Sequence, residues 1–74
     1  MYDRQDLRWD GRRLRLFSSR GVVLATIEPD KTWRGMWRVR LPDGHFTDML
    51  NLSRAMDAAA SLALGVLNQR REAA

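Results

Sequence analysis

The chain has 74 residues, 45% of them hydrophobic and 30% charged, which is the composition of one small globular domain. It contains no cysteine, which excludes disulfides, thiolate metal sites, iron–sulfur clusters and a cysteine nucleophile, and its single histidine, His45, leaves little for catalysis. Basic residues exceed acidic ones by 13 to 9, a net charge of +4, and every basic residue except Lys31 is arginine. Arginine suits bidentate phosphate and base recognition, although the same bias marks a GC-rich genome. The excess is concentrated in residues 1–20, which hold six arginines against three aspartates. At roughly 0.05–0.15 kcal/mol per residue, a chain of this length is stable by only about 4–11 kcal/mol. Oligomerisation or a partner is a natural supplement to so thin a core.

Residues 1–6 are polar and are expected to form a flexible N-terminus. No apolar h-region follows them, and no run approaches the length of a membrane span, so a cytoplasmic protein without membrane association is expected. Leu7-Arg8-Trp9, then Asp10-Gly11, then residues 12–17 read as a β-hairpin, because Asp-Gly is a strong two-residue turn signal. With Asp10-Gly11 at the tip, Arg8 faces Arg13 and Leu7 faces Leu14. Leu7, Trp9, Leu14 and Leu16 then share one face, with Arg8, Arg13, Arg15 and Phe17 on the other.

Ser18-Ser19-Arg20-Gly21 is the next turn, and residues 22–28 form a third strand rich in β-branched residues. Pairing Phe17 with Val22 puts Val23, Ala25 and Ile27 on the face of Leu14. Pro29-Asp30 closes the strand, and a loop carries Trp33 between Lys31 and Arg34. An exposed indole there stacks on a base or ribose; the alternative is that it folds back over the edge of the core. Residues 36–41 alternate, with Trp37, Val39 and Leu41 one way and Met36, Arg38 and Arg40 the other. Pro42-Asp43-Gly44 is a turn, after which a short strand at residues 45–48 places Phe46 opposite Leu41.

The hydrophobic period then changes to about 3.6. Met56, Ala59, Ala60, Ala63, Val66 and Leu67, widened by Ala55 and Leu62, mark the inner face of a helix. Ser53 is its expected N-cap, with Asn51 the alternative. Arg70 and Arg71 in the last turn favour the helix dipole, and Gly65 is read as clearance for a tryptophan. The fold expected is one α+β domain over residues 1–74. An antiparallel three- to four-stranded β-meander over residues 7–48 carries a C-terminal helix, residues 53–71, on one face. Its core is Val23, Ala25, Ile27, Trp37, Val39, Leu41, Phe46, Met56, Ala60 and Leu67.

The run Met36-Trp37-Arg38-Val39-Arg40-Leu41-Pro42-Asp43-Gly44, followed by Ser53-Arg54-Ala55-Met56-Asp57-Ala58-Ala59, resembles the three-strand-plus-helix DNA-binding modules. These are the arm-binding N-terminal domains of phage and transposon integrases and the APETALA-type plant domains. The likeness covers residues 12–67; residues 48–52 depart from it, standing where those families show a Gly-Phe pair. It implies the expected fold, with the exposed sheet face entering the major groove of DNA. The chain is also similar to small bacterial proteins of α-proteobacteria and their phages.

The second sheet face has no element to cover it, and that face carries the functional expectation. A non-enzymatic module binding DNA or RNA is expected to use Arg8, Arg13, Arg15, Arg38 and Arg40 on phosphates and guanine edges, with Trp33 stacking. The alternative is a homodimer or a contact with another protein through Phe17, Val22, Leu24 and Met36 on the same face. His45 with Asp43 and Asp48 is read as an exposed turn rather than a catalytic pair or metal site. The serines lack a base, and no phosphate-binding glycine motif is present. No metal, cofactor or small-molecule substrate is therefore expected.

Overall fold

The computed structural model describes the backbone of residues 1–73 and the side chains of residues 1–19 and 21–69. Five antiparallel strands form one sheet in chain order: β1 (Leu7–Asp10), β2 (Arg13–Leu16), β3 (Ser19–Pro29), β4 (Met36–Arg40) and β5 (Leu50–Asn51). Helix α1 (Leu52–Ala73) covers one face, giving the expected α+β meander with one strand more than anticipated. The N-terminal residues make defined contacts. Asp3 caps a short 3-10 helix, Arg4–Asp6, and Tyr2 exchanges two hydrogen bonds with the side chain of Asn68.

The first hairpin turns one residue later than expected. Asp10 pairs with Arg13, so Gly11 and Arg12 occupy the tip, and Arg8 faces Arg15 instead of Arg13. Gly11 takes a φ of 60° while Arg12 stays at negative φ, the pattern of a type II′ turn. Each cross-strand pair thereby slips by two residues, which leaves the side-chain faces unchanged. Leu7 and Leu14 are buried, and Trp9 and Leu16 pack beside them.

The second hairpin departs further. Ser19 already pairs with Leu16, Val23 pairs with Arg15 and Ala25 with Leu14, so Leu24 has no partner on β2. Such a β-bulge inverts the alternation of the strand preceding it. Leu24 therefore packs against the core, and Val23, expected inside, is 39% exposed.

Between β3 and β4 the pairs are Thr26–Arg40, Ile27–Val39, Glu28–Arg38 and Pro29–Trp37. Val39 and Ile27 point to the helix and are buried, while Arg38 and Arg40 point away, as the alternation required. The expected strand at residues 45–48 reduces to a single bridge between Phe46 and Arg40, and regular pairing resumes only at β5. Thr47 fills the interval: its backbone N–H donates to the Val39 carbonyl, and its hydroxyl accepts from the Val39 N–H. Phe46 shares the face of Arg40 in consequence, is 51% exposed and is no part of the core.

Asn51, not Ser53, caps α1, its Oδ1 accepting from the backbone N–H of Arg54 at 2.9 Å. Ala55, Ala59, Ala60 and Ala63 form the buried stripe, and their small side chains let the helix lie close on Leu7, Leu14, Ala25, Ile27 and Val39. Met56 and Leu67 flank this stripe, but Leu62 and Val66 are exposed. A side chain at Gly65 would meet nothing within 4 Å, so the glycine clears no tryptophan. The side chains of Arg70 and Arg71 lie outside the described residues. Among the described residues, no helix is long and apolar enough to cross a membrane.

Candidate nucleic-acid interface

The sheet face opposite α1 carries guanidinium groups from β1, β2 and β4. One row crosses it as Asp10, Arg13, Thr26, Arg40 and Phe46, each paired with the next. At about 4.8 Å per strand, Arg13 and Arg40 stand about 10 Å apart. Arg13 is exposed and engages no partner among the described residues. The same holds for Lys31 and Arg34 in the loop after β3.

The other arginines of this face are already bonded. Arg15 Nε donates to Asp10, and its Nη1 donates to the Leu16 carbonyl at 3.0 Å. Its side chain is only 13% exposed, so it props the hairpin more than it faces solvent. Arg8 donates to the Gln5 and Leu7 carbonyls and lies 4.5 Å from the centroid of Phe17. Arg38 Nε reaches Asp30 at 3.1 Å, and Arg40 reaches Glu28 at 3.5 Å. Five guanidiniums against the three carboxylates of Asp10, Glu28 and Asp30 leave an excess of two positive charges. The Arg40–Glu28 pair lies at the surface, where such a pair is worth about 0–1 kcal/mol, and a phosphate can displace its carboxylate.

A hollow of about 380 Å³ opens in this face, lined by Glu28, Pro29, Asp30, Lys31, Arg38, Arg40 and Phe46. Phe46 stands at its rim with the Arg40 guanidinium 5.4 Å from the ring centroid. Asp30 fixes the adjoining loop. The Trp33 N–H, then the Arg38 guanidinium and the Thr32 N–H, donate to its carboxylate and hold it below the ordinary aspartate range. The loop so held presents Trp33 to solvent at 60% exposure, so the indole does not fold back over the core.

The apolar cluster expected on this face is broken up. Phe17 sits in the turn between β2 and β3 beneath Arg8, Leu24 is turned inward by the bulge, and Met36 is half-buried opposite Asn51. Phe17 and Val22 remain exposed. His45 lies on an exposed turn with Nδ1 2.8 Å from Asp43, whose carboxyl is lowered by the His45 backbone and side-chain donors. Among the described residues, no cluster of three metal-ligating side chains occurs.

Sequence reasoning missed Phe46 and the three neutralising carboxylates. The sequence does place Glu28 and Asp30 at the end of the strand before Arg38 and Arg40, but which acid meets which base depends on the register. No protein-family model matches this chain, and neither a curated protein nor a solved structure matches it.

Proposed function

We propose that the open sheet face binds nucleic acid, with phosphates on Arg13, Arg40, Lys31 and Arg34 and base stacking on Phe46 and Trp33. The observation that carries this reading is the transverse row from Arg13 to Phe46. It joins an unpaired guanidinium, a weakly paired one and an exposed ring on a face that nothing among the described residues covers. The resemblance to the three-strand-plus-helix modules points to the same face. Arg38 and Arg15 hold the loop and the hairpin in place and contact phosphate only secondarily. Phosphate contact through these groups weakens as salt rises, and stacking on Phe46 and Trp33 favours strands whose bases are unpaired.

The test is a titration with mixed-sequence duplex and single-stranded DNA and RNA at two salt concentrations. Binding is expected at low salt and is lost progressively at high salt. The Arg13→Ala variant is expected to bind more weakly with a salt slope shallower by about 0.9. Absence of binding at low salt to every oligonucleotide refutes the reading.

A further inference from the structure

β3 is the longest strand of the sheet, yet β4 covers only its second half. The pairing with β4 runs from Thr26 to Pro29 and stops where Leu41-Pro42 leaves the sheet. Pro42 has no N–H to continue the ladder. In the first half of β3 only Ser19 and Val23 pair with β2, and among the described residues no strand borders the other side. A groove of about 290 Å³ runs along that uncovered side, walled by Val22, Val23 and Leu24 on one flank and by Leu41, Pro42 and the carboxylate of Asp43 on the other. Ala63, Val66 and Leu67 of α1 form its floor. Val22, Val23 and Val66 are 45%, 39% and 42% exposed, although each belongs to a residue type that is usually buried.

The other edges of the sheet are blunted. At the β1 edge, Arg8 donates to the Leu7 and Gln5 carbonyls, and β5 is only two residues long. Charge and brevity are the usual protections against strand addition. Gly21-Val22-Val23-Leu24 has neither: it is uncharged, rich in β-branched residues and part of an 11-residue strand.

We infer that this half of β3 is a homodimer interface, in which Gly21-Val22-Val23-Leu24 pairs antiparallel with the same segment of a second copy about a two-fold axis. An uncovered strand edge calls for another strand, and a groove lined by valine, leucine, alanine and proline, with one carboxylate at Asp43, calls mainly for apolar side chains. The segment satisfies both demands for its own copy, which makes the contact isologous. Gly21 carries no side chain to hold the partner backbone away, and nothing lies within 4 Å of where one would project. The arginines of the open face are not brought face to face, as they are in a dimer formed through that face. The sheet instead continues from one copy into the other, and the two basic faces remain free to act together on one nucleic acid. The inference does not depend on nucleic-acid binding.

Sedimentation equilibrium of the full chain, from micromolar to millimolar concentration and at low and high salt, tests it. A monomer–dimer equilibrium that holds or tightens as salt rises is expected. Val23→Lys and Val66→Glu place charge in the groove at already exposed positions. Both are expected to weaken dimerisation at least tenfold while keeping the parent circular dichroism spectrum. The open-face variant Arg13→Ala is expected to dimerise as the parent does. If Val23→Lys disturbs the strand itself, Val66→Glu, which lies on the helix, decides the point alone. A parent that stays monomeric at millimolar concentration overturns the inference. So does a dimer that survives Val66→Glu, or one that Arg13→Ala abolishes.

Discussion

Replacing Glu28 with glutamine removes one negative charge from the open face while keeping the side chain's size, and it turns one acceptor oxygen into an N–H donor that repels the Arg40 guanidinium. Glu28 lies opposite Arg38 and pairs with Arg40 at 3.5 Å, the two side chains being 42% and 54% exposed. Arg38 keeps its bond to Asp30, so the substitution frees Arg40 alone. The excess positive charge of the face rises from two to three, and one guanidinium beside Phe46 becomes available to phosphate without first leaving a carboxylate. One added phosphate contact steepens the dependence of log K on log salt by about 0.9, so raising salt from about 50 to about 200 mM costs the variant roughly 3.5-fold more affinity than the parent. Binding at the lower salt is expected to be tighter than the parent's. The lost surface pair is worth about 0–1 kcal/mol, which moves Tm by no more than about 8 °C in a chain of this size. Fluorescence anisotropy of a labelled oligonucleotide over a salt series measures both quantities. Parallel salt slopes for parent and Glu28→Gln, or weaker binding by the variant at low salt, refute the assignment of Arg40 as a phosphate ligand.

Gly65→Ala is expected to stabilise the fold by about 0.5–1 kcal/mol, because a helical glycine with open space around it costs that much against alanine, and denaturant unfolding reads the gain. Asn51→Ala is expected to cost about 1 kcal/mol in the same assay, while Ser53→Ala, two residues later and inside the helix, is expected to cost less than half as much. Asp30 and Asp43 have folded pKa values below the ordinary aspartate value of 3.8. Their contribution to stability is therefore complete above that value and is lost as pH falls through the lower folded values. Melting temperatures followed from neutrality into acid are expected to fall less steeply for Asp30→Asn than for the parent, and identical acid limbs contradict the assignment.

The alternation of residues 36–40 and the alanine stripe of α1 made the layer order legible, because each repeats over enough residues to fix a face. The hairpin shows why the arrangement survives an error in its turn: a two-residue slip moved Arg8 from Arg13 to Arg15 yet left every side chain on its own side. β3 shows the opposite case. One unpaired residue at Leu24 exchanged the environments of Val23 and Leu24, and nothing in a run of valine and leucine signals where a strand will bulge. Phe46 was misplaced for a related reason, since only Thr47, through its hydroxyl and backbone, spans the gap that a regular strand was expected to fill. The basic face was legible as a set of arginines, but its charge was not, because Asp10 and Glu28 act across strands on partners that depend on register.

The uncovered groove beside β3 was hidden by the same bulge, together with Pro42. Read as a regular strand, residues 22–28 put Val23 in the core and leave Val66 a place beneath the sheet. In the folded chain β4 ends before it reaches Val23, and Val66 lies on the floor of an open groove.

The claim that the open face is the nucleic-acid interface is tested most directly by amide and indole chemical-shift mapping during titration with a short single-stranded oligonucleotide at low salt. The account predicts shifts at Arg13, Thr26, Arg40 and Phe46 and at the Trp33 indole N–H, with the helical stripe from Ala55 to Ala63 unmoved. Shifts centred on α1 or on the groove of Val22, Val23 and Val66, or no shifts at all, contradict it.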